Sequence, residues 1–266
     1  MIFLILLLTL GFDTTQHKEV EVFKREINGV IEIWAMNPNI YPVTVELSAT
    51  LTNLNSDKPL PHIEVLTYDR EEKLFTLVPV DPAKAWNFET NYITYTGDVY
   101  ARHDDSFQYR FPFRNGSTFG VSQGFGGEFS HQGNIQYSID FMMPEGTPIY
   151  AARDGMVIEV KEDSQSGGDD KKYVDEANTI TILHGDGTMA DYSHLQFNGA
   201  HVRVGQSIKL GQFIGYSGST GFVTGPHLHF GVKKTLQGGK YETIPIKFAT
   251  PNGPVVPQEG KRYRAY

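Results

Sequence analysis

The chain has 266 residues, 39% hydrophobic and 12% aromatic, a composition that builds packed cores and excludes an intrinsically disordered protein. Its formal net charge of -8, with no dense Lys/Arg cluster, excludes nucleic acid as the main partner, because phosphate binding needs a basic surface. There is no cysteine, which rules out disulfides, thiolate-bound zinc and a thiol nucleophile, so a metal must be held by His, Asp or Glu.

Residues 1–10 (MIFLILLLTL) are almost purely apolar. As a helix they rise about 15 Å, half a bilayer core, so no stable membrane span is expected from them. They have the length of a signal-peptide core, with Thr9-Leu10-Gly11 as a loose cleavage site and no basic residue in front. Residues 1–18 are therefore expected to direct export to the periplasm, the cell envelope or the medium. A buried first strand and a start codon placed too late are the alternatives.

From Val20 to about Arg110 the chain reads as short strands. EVEVF, VIEIWAM, VTVELSATLTNL and KLFTLVPV alternate apolar and polar residues, with turn-rich pieces such as Asn37-Pro38-Asn39 between them. The pattern predicts an immunoglobulin-like β-sandwich over residues 19–112, an accessory module whose isolated His17, His62 and His103 carry no catalytic signature. Polar, turn-prone Arg114-Asn115-Gly116-Ser117 suits a domain boundary.

A Gly-rich stretch (residues 119–127) lacks the Gly-Lys-Ser/Thr of a phosphate loop and reads as tight turns. Beyond it the strand pattern resumes in QYSIDFM, TPIYAA, GMVIEVKE, NTITILH, MADYSHL, QFIGYSG, HLHFGVKK and TIPIKF. Helical periodicity is nearly absent, so the fold class is all-β, with a second β domain over residues 113–266. The polar residues 161–178 read as a long mobile loop.

Strand parity singles out the chemistry. Residues two apart on a strand share a face, so His227 and His229 point one way while Leu228 and Phe230 point toward a core. Likewise Asp140 stands opposite Tyr137, Ile139 and Phe141. A carboxylate and a histidine pair on otherwise apolar strands are costly to bury unless paired or bound to metal. Two histidines and an aspartate suit zinc better than magnesium or calcium, which take more oxygens.

The ordered motifs extend this pattern. They comprise Ser130-His131, Ile139-Asp140-Phe141, Pro144-Glu145-Gly146-Thr147-Pro148, Tyr192-Ser193-His194-Leu195, Ser217-Gly218-Ser219-Thr220-Gly221 and Gly225-Pro226-His227-Leu228-His229-Phe230. Between about Phe119 and Val232 the chain resembles the lysostaphin/LytM-type zinc metalloendopeptidases, peptidoglycan hydrolases of the duplicated hybrid motif fold. The resemblance implies a C-terminal antiparallel β-sheet metallopeptidase domain with a substrate groove. It implies one zinc per chain held by His131, Asp140 and His229, with His194 and His227 serving the reaction. The common family spacing is His-x-x-x-Asp, whereas here residues 132–139 separate His131 from Asp140. His184 and His201 fall outside these motifs and read as structural.

The function so implied is a secreted zinc-dependent endopeptidase cutting cross-link or stem peptides of peptidoglycan, its partner. A noncatalytic cell-wall-binding regulator of other hydrolases and a bacteriocin-like lytic weapon are the alternatives. The hydrolytic site is expected to lie wholly beyond Phe111, with the first module affecting only where and when it acts.

Overall fold

The computed structural model describes residues 17–266, so the apolar run at residues 1–10 lies outside the described residues. Among the described residues strands dominate, interrupted by short 3-10 turns at Gly133–Ile135, Lys171–Glu176 and Gln237–Gly239. The all-β expectation holds, and none of the described helices is long and apolar enough to cross a membrane.

The first half contains β1 (Glu21–Ile27), β2 (Val30–Asn37), β3 (Val43–Thr52), β4 (Leu54–Ser56), β5 (His62–Leu66), β6 (Arg70–Pro79) and β7 (Asn87–Thr96). They form two antiparallel sheets, ordered β1-β2-β6-β4 and β5-β3-β7, over one shared apolar cluster. The period-two pattern read from VIEIWAM is realised on β2, where Ile31, Ile33 and Ala35 are buried and the residues between them half-exposed.

The second half begins with β8 (Gln108–Tyr109), β9 (Thr118–Gln123), β10 (Ile139–Met142), β11 (Pro148–Tyr150), β12 (Gly155–Lys161) and β13 (Gly167–Gly168). It continues through β14 (Thr179–Leu183), β15 (Met189–Ser193), β16 (Leu195–Ala200), β17 (Ser207–Ile208) and β18 (Phe213–Ser217). The last are β19 (Gly221–Phe222), β20 (Leu228–Leu236), β21 (Lys240–Thr243), β22 (Lys247–Phe248) and β23 (Arg262–Arg264). A large sheet runs in the order β17-β12-β14-β15-β20-β10-β9-β23, with β21 also on β20. One face carries the main core, where Ile139, Phe141, Ile180, Ile182, Tyr192, Leu228, Phe230 and Val232 meet Phe111, Phe113 and Phe248. Tyr109 and Phe111 belong to this second core, and β8 pairs in parallel with β22.

The opposite face of the large sheet is divided along its strands. Register places Ser193 beside His229, Asp191 beside Gly231 and Met189 beside Lys233. At one end stand Asp140 and His229. In the middle, Asp191 binds Lys233 Nζ at 2.6 Å and accepts from Thr181 Oγ1 at 2.8 Å. At the far end Ile158 and Met189 join the apolar cluster of the first module, with Met156 and Leu183 packed against it. Thr235 Oγ1 donates to Thr96 C=O at 2.8 Å across the same seam. The first module thus rests on the face that carries the histidines, several residues further along the strands.

Residues 161–178, read from sequence as a mobile loop, are built into the fold. β13 pairs in parallel with β19, Gly167 opposite Gly221 and Gly168 opposite Phe222. The approach is so close that a Cβ on Gly167 would lie 2.0 Å from Ser219 C=O. Polar composition hid this order because what holds the segment is backbone pairing and a buried amide, neither of which needs apolar residues.

Candidate metal centre

Asp140 and His229 are direct partners in the antiparallel pairing of β10 with β20, and Asp140 Oδ1 lies 2.9 Å from His229 Nδ1. His131 arrives from outside the sheet, with its Nε2 3.1 Å from the same oxygen. The residues between His131 and Asp140 fold through the Gly133–Ile135 turn, which absorbs the extra length and lets the histidine return to the carboxylate. The ligand atoms of His131, Asp140 and His229 all lie within 4.8 Å of one another.

The surroundings hold this trio in one orientation. His131 Nδ1–H donates to Gly124 C=O at 2.9 Å, which fixes the tautomer and turns Nε2 toward the carboxylate. Gln123 Nε2 donates to Asp140 Oδ2 at 2.7 Å, leaving Oδ1 for the histidines. Burial alone would raise the Asp140 carboxyl, which is only 3% exposed. Hydrogen bonds from His131 and His229, with the charges of His229 and His227, instead hold it well below the usual carboxylate range. Burial works against protonating His131, but the Asp140 hydrogen bond and charge raise it above its ordinary value.

This donor set fits zinc. Zinc bonds of about 2.0–2.2 Å in a tetrahedron imply ligand–ligand edges of about 3.3–3.6 Å, and the spacings of 2.9 and 3.1 Å need only a small relaxation to reach them. Two imidazoles and one carboxylate leave a fourth position open, as catalytic rather than structural sites do.

His194 and His227 flank the trio, their ring centroids 4.6 Å apart. His194 Nδ1–H donates to Thr220 C=O at 2.7 Å and His227 Nδ1–H to Gly225 C=O at 2.8 Å. A carbonyl only accepts, so the proton sits on Nδ1 and each ring keeps an Nε2 lone pair. Burial, and then the neighbouring His227 and His229 rings, push His194 down to about 3, so it stays neutral. Its backbone has a φ of 64°, a left-handed conformation that costs a non-glycine residue roughly 1–3 kcal/mol and persists only where neighbours enforce it.

Asp140, His194, His227 and His229 line one pocket of about 200 Å³, with Phe129, Phe222, Val223 and Thr224 among its walls. Phe129 and Phe222 stack at 5.5 Å, joining the segment that leads to His131 with the β13–β19 wall. Ser122, Gln123 and Phe129 are shared with a larger cleft of about 680 Å³ that continues to residues 256–259. The structure thus brings all five sequence-predicted residues together and leaves His184 and His201 elsewhere. His184 donates from Nδ1 to Asp154 C=O at 2.8 Å, and His201 packs on Phe213 and Tyr216. Sequence reasoning passed over Gln123, Gly124 and Thr220. An amide beside a glycine and backbone carbonyls leave no signal in residue type.

Residues 134–242 match the family model described as Peptidase family M23, a span that includes Asp140, His194, His227 and His229 and starts just after His131. The chain is 32% identical over 130 residues to lysostaphin of Staphylococcus simulans, covering 49% of this chain and 23% of that protein. It is 42% identical over 100 residues to the glycyl-glycine endopeptidase ALE-1 of Staphylococcus capitis, covering 37% and 24%. With the peptidoglycan DD-endopeptidase ShyA of Vibrio cholerae it shares 34% over 146 residues, covering 53% and 31%. The chain therefore spans about a quarter to a third of the length of these curated relatives. Among solved structures, the catalytic domain of lysostaphin from Staphylococcus simulans is 33% identical, with a TM-score of 0.33 and coverage of 44% of this chain and 78% of that one. Residues 134–242, the span that carries Asp140, His194, His227 and His229, thus form a domain of peptidase family M23.

Proposed function

We propose that this protein is an exported, zinc-dependent endopeptidase that hydrolyses peptide bonds of bacterial peptidoglycan, with His131, Asp140 and His229 as the metal ligands. The observation that carries this reading is the convergence of two imidazoles on one buried carboxylate oxygen, beside a pocket that two further histidines line. The glycyl-glycine and DD-endopeptidase activities named for relatives support peptidoglycan as the substrate.

When bound, zinc supplies Lewis-acid polarisation of the scissile carbonyl and acidifies water toward a pKa of about 7. The chain's own groups do the rest. Neutral His194 accepts a proton at Nε2 as water adds to the carbonyl carbon, and protonates the amine as the C–N bond breaks. His227, whose Nε2 lies 3.8 Å from Asp140 Oδ1, stands on the ligand side of that pair, where its Nε2 lone pair accepts a hydrogen bond from the attacking water and orients it. Phe129 and Phe222 shield these steps from bulk water. The first half, of immunoglobulin-like character in this reading, is an accessory module that sets where and when the site acts.

The test is digestion of purified walls of several cross-bridge types by the full chain, with mass analysis of the products. New amino and carboxyl ends that disappear with a chelator and return with zinc are the expected result. Binding to walls without any cleavage would instead mark a noncatalytic regulator.

A further inference from the structure

Asn178 closes the 161–178 segment just before β14. It is fully buried (0% exposed), and none of its polar groups is spare. Its N–H donates to Thr220 Oγ1 at 3.0 Å, and its C=O accepts from Leu195 N–H at 3.0 Å. Its side-chain Oδ1 accepts from Ser164 N–H at 3.0 Å, while Nδ2 donates to Ser164 C=O at 2.8 Å and Leu195 C=O at 3.4 Å. Thr220 Oγ1 in turn donates to Leu195 C=O at 2.8 Å. One buried residue therefore ties together the inserted segment, the residue that follows His194 and the residue whose carbonyl holds the His194 ring.

The backbone of His194 needs such a tie. Its left-handed conformation is clamped from both sides, with Leu195 N–H on Asn178 C=O and His194 C=O on Gly218 N–H at 2.9 Å. Gly218 can come this close only because it lacks a side chain, since a Cβ there would lie 2.4 Å from Gln196 N. The lost backbone freedom is thus offset by hydrogen bonds that converge on Asn178.

We propose that Asn178 is a positioning residue for His194. Through Thr220 and Leu195 it keeps the ring's Nδ1–H on the Thr220 carbonyl and its Nε2 lone pair in the pocket. Asn178 neither lines that pocket nor belongs to the metal group. The kinetic consequence rests on the hydrolytic reading above, whereas the ring's tautomer does not.

Asn178→Ala and Thr220→Val, made in the full chain, test this through bound zinc, kcat and KM on a soluble peptide, and the His194 tautomer. The tautomer is read at neutral pH by 15N NMR of histidine-labelled protein, with the signal assigned from His194→Ala. Zinc content and KM should be unchanged, the Nδ1-protonated form should give way to a mixture, and kcat should fall roughly 10–100-fold. In a His194→Ala background, Asn178→Ala should change kcat by less than about twofold, because the residue acts through that ring. An unchanged tautomer in the folded variants, or an equal kcat loss without His194, overturns the proposal. If the wild type cleaves no peptide, the hydrolytic reading fails and the tautomer alone decides. If Asn178→Ala does not fold, Thr220→Val carries the same measurements, and a wild-type tautomer there is decisive against it.

Discussion

Asp140 and His229 stand opposite one another on adjacent antiparallel strands, partners in register with 2.9 Å between Oδ1 and Nδ1. Two of the three candidate ligands are therefore fixed by the sheet itself. Asp140→Asn or His229→Ala should reduce bound zinc from about one per chain to a small fraction while the far-ultraviolet dichroism stays that of a β protein. Elemental analysis after gel filtration measures this.

His131 reaches the pair from a loop, and its place in the set is a separate matter. His131→Ala should lose zinc as fully as the strand variants do. Stoichiometric zinc in that variant would require another third ligand.

His194→Ala and His227→Ala should keep zinc and lose on the order of 10²-fold or more in kcat, the usual range for proton transfer and for orienting the attacking water. Turnover close to wild type in either variant removes that ring from the mechanism.

His184 predicts an acid-stability effect remote from the metal group. Burial pushes its imidazole down from 6.5 to about 4, against the opposing hydrogen bond to the Asp154 carbonyl. The unfolded chain takes up a proton that the folded one resists. The contribution is therefore complete above pH 6.5 and is lost as pH falls toward 4, amounting to about 3 kcal/mol. His184→Asn keeps an N–H for Asp154 but does not titrate, so its Tm should fall less steeply than that of the wild type between those limits. Parallel curves would assign the acid sensitivity to other groups.

The seam between the halves makes a prediction about truncation. A fragment of residues 98–266 retains all five site residues but uncovers Ile158, Met189, Met156 and Leu183. It should bind zinc yet self-associate, and polar replacements at Ile158 and Met189 should restore a monomer. A monomeric, fully stable unmodified fragment in light scattering and thermal melts would show that the seam contributes little.

Much of the metal centre was legible because strand parity is local. In Ile139-Asp140-Phe141 and His227-Leu228-His229-Phe230, which side chain faces the core follows from alternation alone, and β10 and β20 obey it. The long gap after His131 was harder, since only the Gly133–Ile135 turn shows how eight intervening residues still return the histidine to Asp140. The pairing of residues 161–178 with β19 was not legible, because it rests on backbone contacts and on Asn178, whose buried amide resembles any loop asparagine in sequence. The run GMVIEVKE reads as a strand without showing what covers Ile158. That β12 is covered on both faces at that point depends on a module many residues earlier in the chain.

The placement of the first module has a further consequence for what can approach the His131, Asp140 and His229 group. From His229 to Thr235, where the module begins, is about 20 Å along β20. A polymer laid parallel to that strand would run into the module within a few residues. The open cleft leads the other way, past Ser122 and Phe129 over β9 to residues 256–259. Under the hydrolytic reading, the module would then bound the site on one side, and a long polymeric substrate would lie across the strands rather than along them.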